Sequence, residues 1–364
     1  MDLVALSHLR WDFVYQRPQH LLSRAARRHR VLFVEEPVEA EAFDLPSREV
    51  LPNRSVVTPT VPHGTDPAAS ALWLAEELSK LVGGWRRGEL AVWHYAVMAE
   101  PISRGLDASV VVYDCMDELS LFRGAPPDLV ERERALLGRA DLVFTGGHSL
   151  WEAKRDLHPG VHAFPSRVDV PHFSRARREQ EEPAALRGIP HPRLVYAGVI
   201  DERIDLPLLA SVAASGVGEV VLVGPTAKID PDEVPSGPGL HRLGMQPYEA
   251  LPALFSHASV GLMPFALNES TRFISPTKTP EYLAAGLPVV STPIRDVVRD
   301  YAALPDTVRI ADGPRAFVEA CEDLLRRRPS MAAADRLLAT MSWDVTWEAM
   351  ERLMERSARG RDAA

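Results

Sequence analysis

The chain alternates short apolar runs with longer amphipathic segments. Apolar runs of about four to eight residues are typical of buried strands, and apolar positions that recur every three or four residues are typical of helices. In the first half this pattern predicts strands over residues 3–6, 31–35, 55–58, 90–95, 109–114, 141–145 and 161–164, and helices over 18–30, 70–82 and 127–139. Strands separated by helices indicate an α/β fold with a parallel sheet covered on both faces.

The second half repeats this alternation. It predicts strands over residues 193–197, 219–223, 258–263, 289–292 and 307–310, and helices over 205–214, 247–256, 275–286, 314–328, 331–341 and 343–357. The segment 171–190 between the halves is charged and bounded by prolines, so we interpret it as a linker; an exposed surface helix is the alternative. At 364 residues the chain is long enough for two domains.

Composition narrows the class of protein. A formal charge of −9 argues against a general nucleic-acid binder. Two distant cysteines, Cys115 and Cys321, suit a reducing cytoplasm. The chain opens directly on a strand pattern and has no apolar run of membrane-spanning length, so we expect neither a signal peptide nor a membrane span. Six arginines between residues 10 and 30 form a cluster that could dock on an anionic lipid surface, and a solvated helix face is at least as good an interpretation.

The stretch 275–286 is the most informative one. Ser275 is the predicted N-cap, Pro276 the first helical residue, and Gly286 ends the helix after about three turns. Lys278 opposes the helix dipole, which makes sense if an anion lies over the helix N-terminus. Glu281 shares a face with Lys278 and could accept hydrogen bonds from paired sugar hydroxyls. The alternative is an ordinary capped helix with a Lys–Glu surface pair.

Other candidates in the second half follow predicted strands, and ligands of such sheets bind beyond the carboxyl ends of the strands. Gly198 permits close backbone approach, and Arg203 could bind a phosphate in bidentate fashion, although an ordinary loop is equally compatible with both. Gly224 marks a second turn, and Met245 and Gln246 could offer groups to a base edge. Neither a G-x-G-x-x-G nor a G-x-x-x-x-G-K-[ST] motif occurs, so a dinucleotide dehydrogenase or P-loop NTPase finds no support.

In the first half, the loop after the first strand is long, aromatic and basic. Arg17 and His20 in this region are candidates to contact a ligand, and so is Trp93 at a later strand end. His94 and Asp117 lie at two strand ends that we expect to open onto the same cleft. For each of these residues a purely structural role is the alternative.

Six segments carry a family resemblance, most specifically the last of them. They are residues 16–20, 93–95, 113–117, 164–169, 198–205 and 275–292. In these segments the chain resembles bacterial glycosyltransferases of the two-domain GT-B type, close to glycosyltransferase family 4, in the teichuronic-acid and surface-polysaccharide branch. The resemblance implies two Rossmann-like domains facing across a deep cleft: an acceptor-binding domain over 1–170 and a donor-binding domain over 171–342. It also implies a final helix, 343–364, that crosses back to the first domain.

The resemblance further implies a nucleotide-diphosphate sugar as co-substrate, with a UDP-sugar as the first guess. Glu281 would hold the ribose hydroxyls, while Ser275, Thr277 and Lys278 would meet the diphosphate with help from Arg203. The acceptor would be a carbohydrate, a lipid-linked molecule or a small molecule. Because Lys278 and the helix N-terminus can stabilise the leaving diphosphate, we expect metal-independent transfer. Localisation would be cytoplasmic, with a peripheral membrane contact as an option.

One residue departs from the family pattern. Family 4 proteins typically carry two glutamates eight residues apart, and Phe273 stands at the earlier position. The family expectation is that the anomeric configuration of the sugar is retained. Because Phe273 replaces the first glutamate, both this expectation and the identity of the donor sugar are open. Glu269, Asn268 and Asp201 are the candidates to substitute.

The mechanism and the competing functions follow from the same residues. Should a base be needed, Asp117 is the first choice and His94 the second. A sugar-nucleotide epimerase or hydrolase of the same fold would bind the same donor without an acceptor. A non-catalytic sugar-nucleotide-binding subunit is the third hypothesis. The residue at Phe273 supports it, and the intact stretch 275–286 argues against it.

Overall fold

The computed structural model describes residues 1–362. The chain forms two compact units, each with its own sheet. The first unit contains Met1–Ser120, Gly124–Pro165 and the chain from Asp344 onward. The second contains Leu121–Arg123 and Ser166–Trp343.

The first unit is built on a mainly parallel eight-stranded sheet, with a small two-stranded sheet beside it. Its strands are β1 (Asp2–Ser7), β2 (Arg30–Glu35), β3 (Val38–Ala40), β4 (Ser47–Leu51), β5 (Arg54–Val57), β6 (Thr60–Pro62), β7 (Leu90–His94), β8 (Val110–Cys115), β9 (Leu142–Thr145) and β10 (Val161–Ala163). Its helices are α1 (Arg17–Ala25), α2 (Pro67–Trp85), α3 (Leu129–Arg139) and α4 (His148–Lys154). The large sheet has the order β10-β9-β8-β7-β1-β2-β5-β4, and β3 pairs with β6.

The second unit contains a six-stranded, wholly parallel sheet of order β13-β12-β11-β14-β15-β16. Its strands are β11 (Arg193–Ala197), β12 (Glu219–Val223), β13 (Leu240–Gly244), β14 (Val260–Met263), β15 (Val289–Ser291) and β16 (Val308–Ile310). Its helices are α5 (Val170–Phe173), α6 (Leu206–Ala214), α7 (Leu251–Ser256), α8 (Lys278–Ala285), α9 (Arg295–Tyr301), α10 (Pro314–Arg327) and α11 (Ala332–Leu338). The last helix, α12 (Trp343–Asp362), belongs to the first unit from its second residue onward.

The predicted strands are confirmed within a few residues at each end, because strands of a parallel sheet are buried on both faces and read as continuous apolar runs. The pattern misses β3 and β6 of the small sheet, and β4 and β13, which lie at the edges of the two large sheets and have no fully buried residue. β4 is also antiparallel to β5, so the predicted all-parallel sheet needs that one correction. Helix α1 ends at Ala25, five residues before the predicted end.

The segment 171–190 is not a linker, and this prediction is wrong. Phe173, Ala176 and Leu186 are buried in the core of the second unit. The charge that suggested a linker has a structural partner. The guanidinium of Arg177 donates to the carbonyl oxygens of Ala284 and Leu283 at 2.8 and 2.7 Å, at the end of α8, where a cation is favourable.

Each sheet has a point where the chain reverses direction across it. In the second unit the chain runs from β11 outward to β12 and β13, then returns to β14 on the other side of β11. In the first unit the corresponding pair is β1 and β7. At such a point the loops beyond the carboxyl ends of the two strands diverge and leave a crevice, which is where ligands of these sheets bind.

Helix α12 packs into the first unit through an aromatic and sulfur-rich face. Trp347, Met350 and Met354 are buried, and the ring of Trp347 stacks on that of Trp93 with centroids 6.0 Å apart. Within the described residues no helix is both long and apolar enough to cross a membrane.

Candidate functional site

Helix α8 begins two residues later than predicted. Its first residue is Lys278 and its N-cap is Thr277, whose side chain makes no capping hydrogen bond. The predicted N-cap, Ser275, lies outside the helix, and its carbonyl oxygen accepts a 2.7 Å hydrogen bond from the Ser166 hydroxyl. That bond fixes Ser275 in the preceding loop. The predicted C-terminus is confirmed, because Gly286 follows α8 in the left-handed conformation with φ of +87°.

Lys278 and Glu281 form a buried ion pair. The Nζ of Lys278 lies 2.7 Å from Oε2 of Glu281, and only 14% and 4% of the two side chains are exposed. The shared helix face is confirmed, and the alternative of a surface pair is wrong. Removing two charges from water is costly and is not fully repaid by their attraction unless the geometry is excellent. A buried Lys–Glu pair in the first turn of a helix therefore indicates a polar site rather than helix stabilisation.

The pair lies at the reversal point of the second sheet. A Cβ atom added to Gly198, the residue after β11, would lie 3.8 Å from Cε of Lys278 and 2.9 Å from the Tyr196 hydroxyl. A Cβ atom on Gly224, the residue after β12, would collide with the carbonyl oxygen of Gly198, and Gly224 has a φ of +144°. Glycine is therefore required at Gly224, whereas an alanine at Gly198 would have to displace the Tyr196 hydroxyl. The backbones of the two turns pack directly on each other beside Lys278.

A residue that the sequence did not reveal, Tyr282, fixes α8 to this crevice. Its hydroxyl accepts the backbone N–H of Ala197 at 2.7 Å, at the end of β11. Its ring lies over Gly261 of β14, where an added Cβ would be 2.5 Å from the ring. Tyr282 thus joins α8 to both strands of the reversal point, one residue after Glu281. Burial raises the pKa of its hydroxyl well above the usual value, so it stays protonated.

Arg203 and Asp201 bind each other. The Nε and NH2 groups of Arg203 donate to the Asp201 carboxylate at 2.7–3.1 Å, and that carboxylate also accepts the Arg203 backbone N–H at 3.0 Å. The guanidinium carbon lies 5.6 Å from the centre of the Phe122 ring. Asp201 is therefore the partner that orients Arg203, which counts against its replacing the missing glutamate.

The other candidates to replace that glutamate are also engaged. The side-chain oxygen of Asn268 accepts the Thr271 N–H and the Ser270 hydroxyl, so it caps a short 3-10 turn. Glu269 is exposed and pairs with a neighbouring arginine. Phe273 itself is half-buried. The described contacts favour no substitute among the three.

Met245 and Gln246 follow β13 at the same edge of the sheet. Nearly half of Met245 is exposed, and the Gln246 side-chain amide donates to the Leu243 carbonyl oxygen at 3.0 Å. The N–H of Gly224 donates to the carbonyl oxygen of Gly244 at 2.8 Å, which places the turn after β12 against the end of β13. These turns form a continuous row with Gly198.

In the first unit, two candidate ligand contacts are structural. The guanidinium of Arg17 is buried, donates to both oxygens of Asp114 at 2.8–3.1 Å, and donates to the Phe164 carbonyl oxygen at 2.7 Å. It therefore joins α1 to β8 and to the loop after β10. His20 is also buried, with its ring edge-on to Tyr15 at 4.7 Å. These contacts give both residues a structural role, and an acceptor contact by either of them stays a prediction.

Trp93 and His94 are fully buried in β7, so the described structure gives both a role in the core and leaves their predicted ligand contacts as predictions. The Trp93 ring packs on Phe144 as well as on α12. The Nε2 of His94 lies 3.0 Å from the Ser103 hydroxyl, which also binds Arg139. Burial, reinforced by Arg139, lowers the pKa of His94 to about 4. A residue near a strand end can point into the core, and the apolar run gives no sign of which residues do so.

Asp117 is half-buried in the loop after β8 and is thus the accessible member of the predicted pair. The next residue, Glu118, is held by a buried lysine that sequence reasoning missed. The Nζ of Lys154 lies 2.6 Å from Glu118 and 2.7 Å from Glu133. Burial alone would lower the pKa of Lys154, but the neighbouring acidic groups outweigh it and hold that pKa at about 12. The ion-paired network positions the loop that carries Asp117.

Comparison with known proteins agrees with this geometry. Residues 192–327 match the family model of group 1 glycosyl transferases. A Bacillus subtilis (strain 168) protein, named as glycosyltransferase TuaH of teichuronic acid biosynthesis, is 25% identical over 272 residues, which are 69% of this chain and 68% of that protein.

Solved structures extend the likeness to the whole chain. A sucrose-phosphate synthase from Thermosynechococcus elongatus superimposes with a TM-score of 0.70 at 16% identity, covering 98% of both chains. An E. coli trehalose-6-phosphate structure bound with UDP-2-fluoro glucose gives 0.68 at 12% identity, covering 97% of this chain and 99% of that one. The catalytic domain of Arabidopsis thaliana starch synthase IV, bound to ADP and acarbose, gives 0.70 at 9% identity, covering 98% and 99%.

The chain has the GT-B fold, and the matched segment supports a glycosyltransferase. Within that class the chain is similar to the group 1 glycosyl transferases and to TuaH, as the resemblance in the sequence predicted.

Proposed function

We propose that the chain transfers a sugar from a nucleotide-diphosphate sugar, with a UDP-sugar as first choice, to an acceptor in surface polysaccharide or related glycoside synthesis. One observation carries this proposal: a buried Lys278–Glu281 pair in the first turn of α8, beside the Gly198 turn at the reversal point of a parallel sheet. The UDP-2-fluoro glucose and ADP bound in two structural neighbours, and the name of TuaH, support the choice of donor and pathway class.

The chemistry follows from charge development. Breaking the bond between sugar and diphosphate builds negative charge on the leaving phosphate oxygens. A preorganised cation and a helix N-terminus stabilise that charge where water is excluded. Lys278 would supply the cation, and Arg203, oriented by Asp201, a second one. Glu281, an acceptor of hydrogen bonds, would hold the ribose hydroxyls. No metal is required in this scheme, and Ser275 and Thr277 would contribute groups from the loop before α8.

The remaining assignments rest on the family expectation. We propose retention of configuration, with Asp117 as the base if one is needed and with the donor row Gly198, Gly224, Met245 and Gln246 facing the nucleotide. We also propose a cytoplasmic location. Cys115 and Cys321 are both free and buried, which suits a reducing compartment.

The arginine cluster gives little support to a peripheral membrane contact. Arg24 and Arg27 bind Asp344 of α12, and Arg28 binds Glu351. These acidic partners offset the charge of three arginines, at the end of α1 and just after it, that would attract an anionic surface.

The test is a thermal-shift screen of the purified protein against UDP-, GDP-, ADP- and dTDP-sugars. A ligand at 100 times its Kd adds about 2.7 kcal/mol of stability, which gives a clear shift. We expect one donor class to shift the wild type and to lose that effect with Lys278→Ala and with Glu281→Gln. The control variant Lys80→Ala removes an exposed Lys–Glu pair on α2, and the donor should still shift its unfolding temperature.

Three outcomes would overturn the proposal in different ways. The absence of any shift with every nucleotide sugar would remove the donor site. Binding followed by donor consumption that no acceptor changes would identify a hydrolase or an epimerase, and binding without turnover across an acceptor panel would identify a non-catalytic subunit.

A further inference from the structure

The first unit contains a cavity of about 240 Å³ that no candidate residue above occupies. It lies beyond the carboxyl ends of β1 and β2, under helix α2, and against the turn of residues 97–103 that follows β7. Its wall is mostly apolar and includes Val34, Leu74, Ala71, Met98, Ala99 and Ile102. Exposed Glu36 and Pro67 stand at its rim.

The two buried polar side chains in the wall, Ser7 and Glu35, already have partners, whereas Ser70 and Glu36, which also line the cavity, are more exposed. The carboxylate of Glu35 accepts the Trp11 N–H at 2.7 Å, the Thr58 hydroxyl at 2.8 Å and the Arg10 guanidinium at 3.2 Å. The hydroxyl oxygen of Ser7 accepts the Leu9 N–H at 3.0 Å. A sugar placed here would lose its hydrogen bonds to water and find few replacements, which is costly. A hydrocarbon chain would lose none.

The cavity also lies where this sheet binds ligands. β1 and β7 are the reversal point of the first sheet, and the cavity opens at the carboxyl ends of β1 and its neighbour β2. At about 30 Å³ for each water in the liquid, 240 Å³ equals roughly eight waters, which is room for a chain of several carbons.

We propose that this cavity binds a hydrocarbon chain, alkyl or isoprenoid, that the acceptor carries. The part of the proposal that assigns the hydrocarbon chain to an acceptor rests on the proposed transferase function. The part that places a hydrocarbon chain here rests on the cavity alone. It narrows the acceptor from a free carbohydrate to an amphipathic molecule whose apolar part lies under α2.

Binding of n-alkyl β-glucosides with butyl, hexyl, octyl and decyl chains, measured by calorimetry below their micelle concentrations, tests the cavity directly. Each buried methylene contributes about 0.8 kcal/mol, so Kd should fall about fourfold per methylene until the cavity is full. Glucose itself should show no binding. A Kd that is independent of chain length would overturn the proposal.

Two neighbouring residues of α2 give a matched pair of variants. Ala71 lines the cavity, whereas Leu72 is 75% exposed. Ala71→Trp should fill the cavity and weaken octyl glucoside binding at least tenfold, and Leu72→Trp should leave it unchanged. Equal affinities in the two variants would refute the assignment. Met98→Gln, which keeps the side-chain length and adds a polar end, guards against misfolding of Ala71→Trp and should also weaken binding.

Transfer assays show whether the bound hydrocarbon chain belongs to the acceptor or to a free lipid. They also test the cavity separately from the proposed function. With the donor that the thermal-shift screen identifies, octyl glucoside should be a better acceptor than glucose because its KM is lower. Ala71→Trp should remove that advantage. Transfer to glucose at the same KM, with octyl glucoside bound but not glycosylated, would assign the chain to a free lipid and refute the acceptor. The thermal shift by the nucleotide sugar should be the same in Ala71→Trp as in the wild type. If the wild type shows no such shift, the proposed function is refuted, whatever the result with the alkyl glucosides.

Discussion

Removal of the Lys278 ammonium is the most informative perturbation, because it affects stability and turnover for different reasons. In Lys278→Met the side chain keeps its length and loses its charge, so Glu281 remains with only 4% of its side chain exposed and no cation beside it. Breaking a buried pair by removing one partner costs about 3–5 kcal/mol. In the transition state, loss of one preorganised donor lowers kcat by about 10²–10³.

A double variant separates the two effects. Lys278→Met combined with Glu281→Gln leaves no unpaired buried charge, so its free energy of unfolding should recover most of the loss seen in Lys278→Met alone. Its turnover should stay low, because the cation at the leaving diphosphate is still absent. Urea unfolding gives the stabilities, and release of the nucleoside diphosphate gives kcat.

Lys80 is the matched control. It lies 2.8 Å from Glu77 in an i, i+3 arrangement on α2, with both side chains well exposed. Exposed pairs of this kind contribute little, so Lys80→Met should leave both unfolding and turnover as in the wild type. The reasoning is refuted if Lys278→Met has a turnover within about threefold of the wild type, or if it unfolds at the same urea concentration as Lys80→Met.

Three further predictions concern the framework of the site. Tyr282→Phe leaves the buried N–H of Ala197 without its acceptor and should cost about 1–3 kcal/mol in urea unfolding, whereas a variant as stable as wild type would show that the hydroxyl is dispensable. Gly224→Ala should lower Tm far more than Gly237→Ala, because both glycines have φ near +140° but only an alanine at the first would collide with a neighbouring backbone; equal losses would mean that backbone strain alone matters. Burial depresses the pKa of His94 to about 4, so as the pH falls the unfolded chain takes up a proton on this histidine before the folded chain does. The free energy of unfolding should therefore fall by about 3 kcal/mol between pH 6.5 and pH 4. His94→Gln should reduce this pH dependence, and an unchanged pH dependence would contradict the assignment.

Local pattern was sufficient for most of the framework. Buried parallel strands appear in the sequence as continuous apolar runs, so β1, β8 and β12 are confirmed close to their predicted bounds. In edge strands such as β13, polar residues interrupt the apolar run, so the sequence gives no such signal. The segment 171–190 misled for the opposite reason, since its charges have partners that lie far along the chain.

The candidate site divides along the same line. By itself the sequence determined that Lys278 and Glu281 share one helix face and that Gly286 ends this helix, because these depend on helical spacing and on a local left-handed residue. It could not determine that the pair is buried or that Trp93 and His94 point into the core.

Only the tertiary structure decided which distant residues meet. The order of strands in the sheet, which no local periodicity encodes, brings Tyr282 to the N–H of Ala197 and encloses the apolar cavity beneath α2. The same order joins Arg17 to Asp114, 97 residues further along the chain, and so makes a predicted ligand contact into a buried ion pair. Spacing along an element is a local property, whereas the burial of a charge depends on every element packed around it.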